Sequence, residues 1–165
     1  MNTREYFIET ITHDAPAFER VLKALPEEKL DYAPHPRSSP ARKLANTIGG
    51  FPNALCLIVE HGKKEFTTKE NKISMDELIQ QFKTGTEKLV KKLHGVDDKA
   101  WNEKKVQLLD KDGSVGWEAT LRDMCWGVFL DCVHHRGQLS SYIRPMGGIV
   151  PSIYGPSGDM PEETT

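Results

Sequence analysis

The sequence predicts an all-α protein: a four-helix bundle with a turn-rich insert before the last helix. Three observations carry this expectation. Stretches near 3–25, 40–61, 74–94 and 120–144 repeat apolar residues at steps of three and four, the period of one helix face. Prolines, glycines and polar residues separate them, and between 95 and 118 the helical period disappears.

In the first helix Phe7, Ile11, Ala15, Phe18, Leu22 and Leu25 form the stripe, with Pro16 inside it predicting a local kink. A proline-rich linker with Pro34, Pro36 and Pro40 follows. Ser38 or Ser39 is expected to cap the second helix, with Pro40 in its first turn. Leu44, Thr47 or Ile48, Phe51, Leu55 and Ile58 mark its inner face. Pro52 is expected to bend it and Gly62 to end it. The third helix opens on Ser74-Met75-Asp76-Glu77, a capping box, and closes at Gly95. Lys111-Asp112-Gly113 reads as a turn between short extended runs at 104–109 and 114–117. Thr120 then caps the last helix. Helices of this length with polar connections read as one antiparallel bundle spanning 1–165, with the insert outside it.

Composition narrows the function classes. A chain of 165 residues with 38% hydrophobic and 28% charged residues is ordinary for a globular protein. Its 22 basic and 24 acidic residues are interspersed and give a net charge of −2, which argues against a nucleic-acid partner. The longest apolar run, ALCLIV at 54–59, is far shorter than the roughly 20 residues of a membrane span. No apolar signal region follows Met1, so export is not expected. The three cysteines, Cys56, Cys125 and Cys132, sit in apolar stretches without a CxxC pair, as buried reduced thiols in a cytoplasmic protein would.

The last helix carries the chemistry. Leu121, Met124, Val128, Asp131, His135, Gln138 and Tyr142 recur at alternating steps of three and four, and this stripe is expected to face inward. A carboxylate and an imidazole one turn apart project to the same side, a geometry used for two protein ligands on one metal. The same spacing serves a buried Asp131–His135 ion pair with no metal. His134 points about 100° away. His61 and His94 suit helix C-termini. His13 and His35 are not expected to be ligands, and Cys125 and Cys132 read as core fillers. Arg136 and Arg144 are placed to approach an anionic ligand or flank a partner helix. Trp126 and Phe129, off the inner stripe, are expected to be exposed and to support a homodimer.

The segment VHHRGQLSSYIRPMGGIVPSIYGPSGD, 133–159, resembles the closing helix and tail of the DinB/YfiT-like family. That family typically reads HxxHHRGQLxxYLR and then PxxYGPS. His134, His135, Arg136, Gly137, Gln138, Leu139, Tyr142, Arg144, Pro151, Tyr154, Gly155, Pro156 and Ser157 match. EEKLDYAPHPRSSPARKLA is similar to the family's junction between its first two helices. The resemblance implies a four-helix bundle with a metal held by one histidine of the second helix and two of the last, spaced HxxxH. His135 corresponds to the last of these. Asp131 stands where the first would be. LANTI replaces an LAWHI-like stretch, so Thr47, or Asn46 one residue away, stands at the second-helix position. The resemblance thus implies a divalent-metal enzyme (zinc, nickel or manganese) of the thiol S-transferase or hydrolase type with a degenerate site. Asp131, His135 and Thr47 would lie at the metal. Asn46, Gln138, Tyr142 and Arg136 would line a pocket for a small-molecule substrate or thiol. The rival expectation is a metal-free binding or structural protein that has lost catalysis.

Overall fold

The computed structural model describes residues 2–65 and 72–160. Four long helices, α1 (Thr3–Lys23), α2 (Ala41–His61), α3 (Met75–His94) and α5 (Leu121–Ile143), fall within a few residues of the expected bounds. The insert differs from expectation. It contains a short helix α4 (Asp98–Glu103) and a hairpin of β2 (Lys105–Leu109) and β3 (Val115–Thr120), joined by β1 (Lys63–Glu65) into a three-stranded sheet. The fold is therefore mostly helical with a small sheet, not all-α.

Local chemistry explains the element ends. Ser74 and Glu77 form the capping box expected for α3, and Asn2 and Glu5 form a second one on α1. In α3 the Ser74 backbone N–H, followed by its hydroxyl, holds the Glu77 carboxyl below its ordinary pKa. Thr120 accepts from the Asp123 N–H and caps α5. Gly62 ends α2 at φ 71, where a side chain would be strained. Gly113, at φ 82, closes the hairpin where the turn was expected. One cap is a correction: Pro40 itself is the N-cap of α2, with no side-chain bond. The Ser39 carbonyl instead accepts from the Tyr142 hydroxyl at 3.3 Å.

That bond also fixes direction. The C-terminal end of α5 lies against the start of α2. At the other end Lys104 donates to the Val59 carbonyl near the end of α2 and accepts from the Leu121 N–H at the start of α5. The two helices therefore run antiparallel. On its other flank α2 meets α3: Gln81 donates to the Gly49 carbonyl, and a Cβ at Gly49 would fall 2.3 Å from Leu78 Cδ1. Only a residue without a side chain lets the helices approach this closely there.

The insert is not outside the core, as the loss of helical period had implied. Trp101 and Val106 are fully buried. The Trp101 indole donates to Thr3 Oγ1 at 3.1 Å and its ring packs 5.6 Å from Phe7. Phe129 is also buried, at 3% exposure, and Trp126 packs on Tyr6, Phe7 and Phe129. The expectation that Trp126 and Phe129 form an exposed face is corrected: Tyr6, Phe7 and Phe18 of α1 pack on them. A second aromatic group, Phe18, Phe51 and Phe82, joins α1, α2 and α3. No described helix is long and apolar enough to cross a membrane.

If α4 is part of the core, Trp101→Ala will lower stability by about 3–5 kcal/mol in urea unfolding. A loss below about 1 kcal/mol would show that the insert only rests on the surface.

Candidate functional site

Two side-chain groups leave adjacent positions of α5 in different directions. The buried residues of α5 are Leu121, Met124, Cys125, Phe129, Cys132, Arg136, Leu139, Tyr142 and Ile143. The core direction thus runs through Phe129, Cys132, Arg136 and Leu139, not through Asp131 and His135. Asp131 has a side chain 59% exposed and His135 one 22% exposed. Their expected inward orientation is corrected. The stripe 131–135–138–142 lies to one side of the core direction and ends at Tyr142, whose hydroxyl reaches Ser39. It is the flank of α5 that faces α2.

On that flank His135 is held from both sides. Its Nε2 lies 3.2 Å from Asp131 Oδ2, and its Nδ1 lies 2.9 Å from Gln138 Oε1. Seven residues, a rise of about 10 Å, separate His135 from Tyr142 along α5, and Thr47 lies six residues, about 9 Å, into α2 from Ala41. It also lies about 160° around α2 from Gly49, on the flank turned away from α3. Its side chain is exposed, and its hydroxyl donates to the Lys43 carbonyl of its own helix at 3.1 Å. Asn46 is half-buried. About 100° separates it from Thr47, on the α3 side.

The other group was not foreseen. Arg136, 2% exposed, donates to Asp14 Oδ2 of α1 at 2.7 Å. Asp14 is 5% exposed, and its second oxygen accepts from the Tyr154 hydroxyl at 2.7 Å. Tyr154 Oη also meets the Arg136 guanidinium, whose Cζ lies 4.5 Å from the Phe18 ring centre and 4.8 Å from that of Tyr154. Burial, then the Asp14 carboxylate, push the Tyr154 phenol above its ordinary pKa, so it remains a neutral donor. Arg136 is therefore a core ion-pair partner and does not line an open pocket. Sequence alone gave one signal: Arg136 and Tyr154 sit in the two halves of one motif. Asp14, 122 residues from Arg136, carried none.

The tail carrying Tyr154 is tethered along its length. Arg20 donates to the carbonyls of Ser152 and Ile153 at 2.8 and 3.0 Å. Asp159 accepts from the Val150 N–H at 2.9 Å and pairs with Arg144 at 3.1 Å. Arg144 is thus a tail clamp.

The three cysteines are buried and free. Burial raises the thiols of Cys125 and Cys132 far above their usual range, which removes them as nucleophiles at neutral pH. His13, His35, His61, His94 and His134 are exposed. Among the described residues no three His, Cys, Asp or Glu side chains are grouped to hold a metal ion.

A mostly helical fold with a histidine–carboxylate pair on an open interhelical seam defines a class of protein in which helix flanks, not loops, present the polar groups. The chain belongs to the DinB family, whose sequence profile matches residues 1–164. It is similar to a DinB-like protein from Bacillus subtilis, at 19% identity and a TM-score of 0.66 over 90% of this chain and 97% of that one. A DinB-like protein from Bacillus cereus is 20% identical, with a TM-score of 0.68 over 91% and 97%. A mycothiol-dependent maleylpyruvate isomerase is 12% identical, with a TM-score of 0.54 over 98% of this chain and 65% of that one. These likenesses show the fold. No curated protein matches the chain.

Two outcomes follow from the buried group. Asp14→Ala strands the Arg136 charge in the core and will cost about 3–5 kcal/mol by chemical denaturation; a loss below about 1 kcal/mol would mean water reaches the guanidinium. Asp159 is held below its ordinary pKa by the Val150 N–H, then by Arg144. Its contribution to tail docking is present above the ordinary carboxylate pKa and is lost as the pH falls through the lowered value. Hydrogen exchange at the Val150 amide, corrected for intrinsic pH dependence, will lose protection across that window. Protection unchanged across it would contradict the pairing.

Proposed function

We propose that this DinB-family chain descends from divalent-metal-dependent enzymes of the thiol S-transferase or hydrolase type and keeps a reduced metal site on the α2–α5 seam. The observation that carries the reading is the His135 Nε2–Asp131 Oδ2 separation of 3.2 Å on an open helix flank. Two ligands of one tetrahedral zinc, with bonds of about 2.0–2.1 Å, lie roughly 3.3 Å apart, so the pair fits one edge of such a site. Gln138 at the other ring nitrogen is placed as the group that orients a ligating histidine. Zinc, nickel and manganese all accept an imidazole and a carboxylate.

The fit is partial. Among the described residues no third strong donor joins the pair, and Thr47 offers a neutral hydroxyl already bonded to its own backbone. An ion held by two residues is bound weakly and leaves open positions for a small thiol or water, whose pKa it would lower. The chain's own residues do the rest: Asp131 and His135 hold, Gln138 orients, and Thr47 borders the open side. The isomerase neighbour is named as mycothiol-dependent, which accords with a thiol as the small-molecule partner.

One observation favours a second reading, a metal-free binding or structural protein. Both ring nitrogens of His135 lie within hydrogen-bond distance of a side-chain oxygen, so the ring is held in place without an ion.

Calorimetric titration with zinc and nickel separates the two. The wild type will bind weakly, His135→Ala will abolish binding, and Thr47→His will tighten it by about tenfold or more by adding a third imidazole. Equal affinities for wild type and Thr47→His would place Thr47 away from the site. Absence of binding in both would establish the metal-free reading.

A further inference from the structure

HHRGQL on α5 and YGPS in the tail are separated in sequence but meet in space where the Arg136 guanidinium touches the Tyr154 hydroxyl. We propose that Asp14 and Tyr154 are positioning residues for the α2–α5 seam: by fixing Arg136 they fix the rotation of α5, and so hold Asp131 and His135 toward α2. The proposal deepens the reading of that seam as a ligand site and rests on it.

Arg136 follows His135 directly, so the two side chains leave α5 about 100° apart and any rotation that moves one moves the other. Apolar packing is non-directional and tolerates small rotations. A charge-assisted bond does not: the 2.7 Å contact to Asp14 Oδ2 exists only for a narrow setting of the helix. The guanidinium plane is also held between the rings of Phe18 and Tyr154. The other directional contact on the seam flank, the Tyr142 hydroxyl on the Ser39 carbonyl, lies about two turns further along α5. One turn before Arg136 the inner stripe has only the small Cys132, and Gly137 follows with open space around it. Tyr154 completes the clamp from outside, since its hydroxyl bridges Arg136 and Asp14 while Arg20 anchors the backbone beside it. Its residue is 72% exposed, so its burial adds little, whereas its hydroxyl reaches two buried charges. That division fits a latch better than a core filler.

The test must separate aim from stability. Buried ion pairs can be replaced by apolar side chains of similar size with no loss of fold, so the double variant Asp14→Leu, Arg136→Met removes the directional contact and keeps the volume. Nitrogen-15 NMR of the histidine rings then reads the His135–Asp131 contact directly, with Asp131→Asn as the reference for a ring that has lost its carboxylate. The expected result is a melting temperature at or above wild type in the double variant, with His135 resonances moved toward those of Asp131→Asn. Tyr154→Phe, which removes one hydroxyl, will move them part of the way. Nickel affinity of the double variant will fall about tenfold, the size typical of lost outer support at a metal site. A purely structural role would change melting temperatures and leave the His135 resonances in place. Unchanged resonances in Tyr154→Phe and in the double variant overturn the proposal, and if the double variant does not fold, Tyr154→Phe alone decides. Should wild type bind no nickel, the metal reading fails while the ring resonances still decide the positioning claim.

Discussion

A guanidinium and a carboxylate, both nearly inaccessible to water, face each other at 2.7 Å between α1 and α5, and much of the molecule is arranged around keeping them satisfied. Removing two charges from water costs several kcal/mol per ion before any attraction is counted, so each remaining polar atom needs a partner. Arg136 and Asp14 obtain theirs from outside the helices. The tail folds back, Arg20 holds its carbonyls, and Tyr154 supplies a hydroxyl that reaches both partners. The pair thereby couples three segments distant in sequence. The ring faces of Phe18 and Tyr154 on the guanidinium supply apolar and cation–π contact where a lone arginine would find neither.

The seam between α2 and α5 depends on this arrangement. Once Arg136 is committed to α1, the neighbouring flank of α5 must carry Asp131, His135, Gln138 and Tyr142 along the edge of α2. Tyr142 anchors that edge by reaching the Ser39 carbonyl. Asp131 and His135 remain partly accessible to solvent on that flank. Under the proposed reading this pair is a reduced site, able to hold an ion or to satisfy itself.

Elements with local chemistry were legible in the sequence. Ser74 with Glu77, Thr120, Gly62 and the Lys111-Asp112-Gly113 turn each act within a few residues, and the structure places all of them where expected. What escaped was non-local. β1 has three residues and exists only because β2 pairs with it in parallel from more than forty residues away. α4 is six residues long, too short for a periodic signal, and becomes a core element through Trp101. The rotation of α5 was the consequential ambiguity. Two stripes with spacings of three and four run along it, one through Asp131 and His135 and the other through Cys132, Arg136 and Leu139. Each contains charge, so hydrophobicity could not choose between them. The choice is made by Asp14, whose partner lies 122 residues away.

The central claim is that the seam retains a histidine–carboxylate pair able to hold a divalent ion, but only weakly. Metal content measured by mass spectrometry on protein purified without an affinity tag tests it most directly. The measurement is made after equilibration with excess zinc and again after dialysis, for wild type and His135→Ala. The account predicts occupancy approaching one ion per chain before dialysis and little after it, with His135→Ala near background throughout. A full complement of metal retained through dialysis, or equal content in wild type and His135→Ala, would contradict it.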